Sequence, residues 1–319
     1  MGISNPGVNI FAGAPPMDPK STGRVFYVGS VGVPGGVAGS DNAGANGDSP
    51  QRPFATLDYA VGYCVAGRGD VIYCLPGHAE NIASSTAVTM DISGVTVIGL
   101  GRGTLRPTFT FTTATTARIN VTAASVSFEN CLFVANFADV ATCFLITAAP
   151  AFRVVDCEFR DTSSVLNFLR CLTTTVTVNA DGLEWLRNRV YSLGTTAGTE
   201  MILIAGTMAR PRINDNFFVG AVLDNTAILL EHGALNVTGL EMGRNIVYRP
   251  NTDTATGAAL IKTTATANTG IVYNNYVGCL DVAGVLLLTV GSDYAPIENY
   301  VTGEVDKSGW LIPAAGTDA

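Results

Sequence analysis

Apolar residues in this chain fall in short runs and not at the i, i+3, i+4 spacing of a helix. The runs are Cys143-Phe144-Leu145-Ile146, Asn167-Phe168-Leu169-Arg170-Cys171-Leu172, Met201-Ile202-Leu203-Ile204, Ala227-Ile228-Leu229-Leu230, Ala258-Ala259-Leu260-Ile261 and Val285-Leu286-Leu287-Leu288. Between them recurs a second β-type phrase built on a polar marker: Glu129-Asn130-Cys131-Leu132-Phe133, Val155-Asp156-Cys157-Glu158-Phe159, Arg187-Asn188-Arg189-Val190-Tyr191, Asp215-Asn216-Phe217-Phe218-Val219, Arg244-Asn245-Ile246-Val247-Tyr248, Asn274-Asn275-Tyr276-Val277 and Glu298-Asn299-Tyr300-Val301. The markers step by 26, 32, 28, 29, 30 and 24 residues. Two β runs per step, joined by Thr, Ala, Gly and Asn, imply one winding of chain per repeat. The fold class expected is all-β: a single-stranded parallel β-helix of about eight coils over residues 70 to 310.

Upstream of the repeat the pattern changes. Residues 1–24 hold Pro and Gly with few apolar residues, which predicts an extended N-terminal arm whose anchors would be Val8, Ile10 and Phe11. Arg24-Val25-Phe26-Tyr27-Val28 predicts a first strand, and residues 29–52 a long polar loop. Phe54, Leu57, Ala60, Val61 and Cys64 return at helical spacing after Pro53, so residues 53–65 predict an amphipathic helix laid over the open end of the solenoid. The expected organisation is therefore arm 1–24; strand, Gly-rich loop and capping helix 25–69; β-helix 70–310; and tail 311–319.

The segment Ser49-Pro50-Gln51-Arg52-Pro53-Phe54-Ala55-Thr56-Leu57, followed by Gly69-Asp70-Val71-Ile72-Tyr73-Cys74-Leu75-Pro76-Gly77, resembles the opening of the right-handed parallel β-helix (pectin-lyase-like) superfamily. That resemblance implies a right-handed solenoid. It does not imply one function, because the superfamily serves polysaccharide lyases, hydrolases, adhesins and phage virion proteins. The chain as a whole, with its Pro/Gly arm and its closing Gly309-Trp310-Leu311-Ile312-Pro313, is similar to tailed-phage virion proteins. Family resemblance also implies a homotrimer.

Charge narrows the classes further. A net charge of −8 and a pI near 4.7 argue against nucleic-acid binding, which needs clustered Lys and Arg. No apolar run reaches membrane-spanning length, and Met1-Gly2-Ile3-Ser4-Asn5-Pro6 lacks the basic and apolar regions of a signal peptide. Synthesis in a host cytoplasm and residence in a virion are expected. Seven cysteines without a CxxC pair predict free thiols and no zinc site.

In a parallel solenoid equivalent positions stack, so the markers Asn130, Asp156, Asn188, Asn216, Asn245, Asn275 and Asn299 predict a structural ladder of side-chain amides. Catalysis on such a scaffold needs carboxylates gathered on one face. The best cluster is Asp156, Glu158 and Asp161 with Arg153 and Arg160, and an ordinary solvated strand-to-turn edge accounts for it better than catalysis does. His78 follows a Pro-Gly turn, and His232 lies far from any nucleophile motif. No catalytic residue, metal or cofactor is expected. The reading is a non-enzymatic virion structural protein, a head decoration or cement protein whose arm binds the major capsid protein or another virion protein. The alternatives are a tailspike or fibre that binds or cleaves glycan and, with less support, a cell-surface adhesin.

Overall fold

The computed structural model describes residues 23–30, 38–42, 44, 47–176, 180–193, 201–220, 227–232, 235–249, 259–263, 265, 267–279, 286–288, 293–302 and 309–311. The arm with Val8, Ile10 and Phe11 lies outside the described residues.

Each winding contributes one strand to each of three parallel sheets. In one such winding Arg153–Val155 belongs to the first sheet, Glu158–Asp161 to the second and Leu172–Thr174 to the third, after which Glu184–Leu186 pairs again with Arg153–Val155. The first sheet has ten strands, from Val25–Val28 to Ala295–Ile297, and the third has eight, from Val88–Met90 to Leu286–Leu288. The chain is a parallel β-helix. Strands of three or four residues suffice because each buries only its inward positions, as the repeated buried–intermediate–buried pattern of Phe144–Ile146, Leu172–Thr174 and Ile202–Ile204 shows.

Inward residues stack on their equivalents. In the second sheet the rings of Phe109, Phe133 and Phe159 lie face to face at 5.7 and 5.0 Å, and Trp185 from the first sheet continues the stack 5.0 Å from Phe159. All are fully buried. Cross-strand aromatic pairs of this kind add to the stabilisation from area burial.

Two boundaries differ from expectation. Val25–Val28 pairs in parallel with Val71–Cys74, so the first strand is part of the first sheet and not of a separate segment. At the far end Gly309–Leu311 turns back and pairs antiparallel with Asn299–Thr302, which carries chain past residue 310 into the second sheet.

The helix is also shorter than the spacing predicts. It spans Leu57–Val61, because Phe54 is drawn into a parallel bridge with Val28 and Thr56, extended at φ −125° and ψ 154°, is the N-cap. The Leu57 amide donates to Glu80 Oε2 at 2.9 Å, and Asp58 Oδ1 accepts from the Thr89 amide at 2.9 Å. Thr89 lies in Val88–Met90, the edge strand of the third sheet, so the helix stands beside an edge that has no further strand. Leu57, Ala60 and Val61 are buried in the core.

Leu57→Asp places an unpaired charge in this contact and is expected to lower stability by roughly 3–5 kcal/mol. Urea unfolding followed by circular dichroism measures it; a midpoint equal to that of the parent chain rules out a buried role for this face.

Candidate functional site

The corner between the first and second sheets is where the recurring phrase falls. Seven consecutive windings turn there through one left-handed residue: Asn130, Asp156, Arg187, Asp215, Arg244, Asn274 and Glu298, with φ between 50° and 62°. The strand registers Val155 with Glu129 and with Leu186, and Leu186 with Asn214, place these residues in one column. The column after it holds Cys131, Cys157, Asn188, Asn216, Asn245, Asn275 and Asn299.

The amide ladder is therefore not the row of markers predicted from sequence. Asn188, Asn216, Asn245, Asn275 and Asn299 do stack, but Asn130 and Asp156 stand one column earlier, in the left-handed row. Asn and Asp tolerate left-handed backbone and so attract the eye to the turn itself, while in later windings the turn is taken by Arg, Asp, Asn or Glu. In the ladder, Oδ1 of Asn216 accepts the Asn188 amide at 2.9 Å and Oδ1 of Asn245 accepts the Asn216 amide at 3.0 Å. The same pattern runs on through Asn275 and Asn299. Each Nδ2 donates to the middle carbonyl of the preceding winding's strand, from Asn188 to Val154 and from Asn216 to Trp185. Cys157 fills the slot with sulfur: its thiol accepts from the Cys131 amide at 3.4 Å and faces the Phe128 carbonyl at 3.7 Å. Asn130, by contrast, donates to the carbonyls of Gly99 and Gly101.

Ion pairs cover the outside of the same corner. Arg187 grips Asp156 with two bonds of 2.8 Å, and Arg244 grips Asp215 with two of 2.7 Å. A second ladder of alternating sign, Glu129, Arg153, Glu184, Arg212 and Glu241, runs along the outer face of the first sheet with contacts of 3.9, 2.6, 3.4 and 3.0 Å. The bond from Arg244 holds the Asp215 carboxyl below the usual carboxylate range. Burial opposes ionisation of Glu241, yet hydrogen bonds from Tyr273 and Asn214 together with Arg212 bring it below its ordinary value.

Alongside this corner runs a cleft of about 750 Å³, with the guanidiniums of Arg102, Arg106, Arg187 and Arg189 and the carboxylates of Asp156 and Asp215 on its walls. Glu158 is directly opposite Arg189 in register, but its oxygens are already bound, one by Arg106 at 2.9 Å and the other by Arg160. Arg189 and Arg102 are exposed and pair with no carboxylate among the described residues. Both arginines were passed over in the sequence, where nothing shows that Glu158 is taken.

The acidic cluster predicted from sequence is thus dispersed into separate duties. Asp156 binds Arg187, Glu158 binds Arg106 and Arg160, and Asp161 accepts from the Phe168 and Leu193 amides and the Ser192 hydroxyl. Both histidines are buried: His78 Nδ1 accepts from the Ser30 amide and Nε2 faces Glu80, while His232 lies between Thr263 at 3.0 Å and Tyr294 at 2.8 Å. Cys64, Cys74, Cys131, Cys143, Cys157 and Cys171 are unpaired and buried, and burial pushes the Cys64 thiol up to about 12. Among the described residues no group of His, Cys, Asp and Glu forms a metal site.

No family model matches the chain, and no curated protein matches it. Among solved structures it is similar to a rhamnogalacturonan lyase, at 14% identity and a TM-score of 0.35 over 91% of this chain and 90% of that one. It is also similar to the DFA-IIIase of Arthrobacter chlorophenolicus A6 in complex with GF2, at 17% identity and a TM-score of 0.42, over 81% of this chain and 60% of that one. These are likenesses of fold and say nothing of the cleft.

Two outcomes follow from the corner. Asn216→Ala orphans the buried Asn188 amide and the Trp185 carbonyl, so urea unfolding is expected to show a loss of about 2–4 kcal/mol; the exposed turn residue Asn274, replaced by Ala, loses only about 1 kcal/mol. Equal losses at the two positions reject the revised register. The Asp215 carboxyl, depressed in the folded state, adds stability above the unfolded carboxylate range and loses it as pH falls through its lower folded value. Arg244→Gln is therefore expected to be less stable than the parent at pH 7 and low salt, with the difference vanishing by pH 2; a difference that persists in acid would assign the effect to packing.

Proposed function

We propose that this chain is a non-enzymatic structural protein of a tailed-phage virion, a head decoration or cement protein attached to the major capsid protein or another virion protein through residues 1–24. The observation that carries the non-enzymatic part is the engagement of the carboxylates around the cleft. Acid–base cleavage of a glycosidic bond requires one carboxyl group protonated and another ionised across the bond to be broken. Asp156, Asp215 and Glu158 are each held by one or two guanidiniums, so their oxygens are committed to ion pairs and not free for proton transfer to a substrate. A corner built this way is stiff and charge-balanced, which suits a surface component.

The attachment part rests on composition. Residues 1–24 are rich in Pro and Gly, and Val8, Ile10 and Phe11 would supply the contacts. Ordering such a segment costs on the order of 1 kcal/mol per residue, so a large or symmetric partner surface is needed. A homotrimer would satisfy that symmetry on a capsid lattice.

A second reading, a glycan-binding or glycan-cleaving tailspike or fibre, is favoured by one observation: Arg102 and Arg189 line the cleft and pair with no carboxylate among the described residues.

Mass spectrometry of purified virions is expected to find hundreds of copies per particle, and deleting residues 2–20 to leave a folded chain, with unchanged Tm, that no longer joins particles. A few copies per particle would favour the spike. Full occupancy by the truncated chain would remove the arm from the attachment.

A further inference from the structure

The outer face of the second sheet is graded along the axis. Val190, Phe218, Val247 and Val277 point into the core, so the residues just before them, Arg189, Phe217, Ile246 and Tyr276, stack in one outward column that Tyr300 continues. Tyr191, Val219 and Tyr248 form a second outward column beside it. Ile246, Tyr248 and Tyr276 are exposed, which leaves a flat apolar strip across the middle of the face.

The two ends of the strip carry opposite charges. At one end stands Arg189, exposed and pairing with no carboxylate among the described residues. Four windings on, at the corner two residues before Tyr300, Glu298 is exposed and pairs with no base among the described residues. Ile246 lies midway, with Phe217 and Tyr276 on either side. A column that runs from a base through three apolar side chains to an acid is complementary to itself when turned over.

A two-fold axis crossing the column at Ile246 sets two antiparallel solenoids face to face. Ile246 then meets Ile246, Phe217 meets Tyr276, and Arg189 of each copy meets Glu298 of the other, so every contact is made twice. Arg187, at the corner of the same winding as Arg189, adds to the attraction, and Arg244, which falls at the axis, is already held by Asp215. The same charges disfavour parallel copies, in which Arg189 would stand against Arg189 and Glu298 against Glu298. A three-fold set of parallel solenoids therefore has to use another face. Five windings at roughly 4.8 Å make the strip about 24 Å long. With the flanking corner it covers on the order of 1,000 Å² over both copies, the lower limit of a specific contact, so the pair is reversible.

We propose that the second sheet docks on the same sheet of a second copy, as an antiparallel two-fold pair centred on Ile246. The inference goes beyond the virion assignment. It concerns the free chain in solution, so either can fail while the other stands.

Sedimentation velocity of the full chain over a range of concentrations at low ionic strength tests it. A monomer–dimer equilibrium is expected. Ile246→Asp is expected to leave only monomer, and because Ile246 is exposed the variant should melt like the parent, which separates loss of pairing from loss of fold. Arg189→Glu and Glu298→Arg are each expected to weaken the pair at least about tenfold. Both reversals in one chain are expected to restore it, since base and acid then exchange places in both contacts. Ile10→Ser with Phe11→Ser is expected to leave it unchanged. Monomer at every concentration, an oligomer that survives Ile246→Asp, single reversals without effect or a double reversal that fails to restore the pair would overturn the proposal. So would loss of the pair in the Ile10 and Phe11 variant, which would give the face to the arm.

Discussion

Every winding of this molecule must turn a corner without leaving a buried peptide group unpaired, and the rest of the structure follows from how it does so. A left-handed residue makes the turn tight, at about 1–2 kcal/mol for a residue with a side chain. The turn also interrupts the ladder of backbone bonds between windings. The next residue repairs it: its Oδ1 takes the amide of the equivalent residue in the preceding winding and its Nδ2 takes a strand carbonyl there. Asparagine alone carries a donor and an acceptor at that reach, which explains its run from Asn188 to Asn299. Cys131 and Cys157 show the limit of the rule. Sulfur is a weak donor and acceptor, yet with both thiols fully buried the bonds at 3.4 and 3.7 Å occupy the same two partner positions.

With the corner fixed, outward positions become periodic whether or not function needs them to be. A residue at the left-handed turn sees its equivalents about 4.8 Å above and below. Like charges there would repel, and the column alternates from Asp156 through Arg187 and Asp215 to Arg244. Exposed pairs of this kind are worth little singly. Their larger effect is to hold each arginine against its carboxylate in one geometry. The exception at Arg189 is informative for that reason: in a surface whose neighbours are matched winding by winding, one unmatched guanidinium stands out against its own ladder.

Much of this architecture was legible from sequence because a solenoid writes its period into the chain. The phrase around each marker falls on the strands of the second sheet and the apolar runs on those of the third, and Val25–Val28 was visible as a strand before its partner was known, but the first-sheet strand of each winding was not read, since two β runs were counted where the structure has three. Nor was the register at the corner. Matching Asn130 and Asp156 to Asn188 relies on residue type, whereas hydrogen bonding puts Cys157 opposite Asn188, a step of 31 residues and not 32. The same one-residue error hides the pair of Arg187 with Asp156, which look adjacent only in the correct register, whereas the alternation of Arg187, Asp215 and Arg244 lies past the error and is legible in the sequence. The helix lost its first turn to a contact that no local pattern encodes, the bridge between Phe54 and Val28. Arg189 could not be singled out without knowing that Arg106, 52 residues before Glu158, had reached it first.

The outward columns also change character along the axis, and that change cannot come from the fold. Beyond Arg244 the left-handed turn passes to Asn274 and Glu298, and the neighbouring outward positions become Ile246, Tyr248, Ile271, Tyr276 and Ile297, all at least 40% exposed. The inward columns over the same windings stay as apolar as before, with Val247, Val272 and Val277 fully buried. Inside positions are constrained by the stack and outside positions only by their neighbours, so a shift confined to the outside is free of any folding requirement. The molecule thus presents two chemically distinct surfaces on one continuous scaffold: a cationic cleft bounded by paired charges toward its first windings, and an aromatic and aliphatic face toward its last.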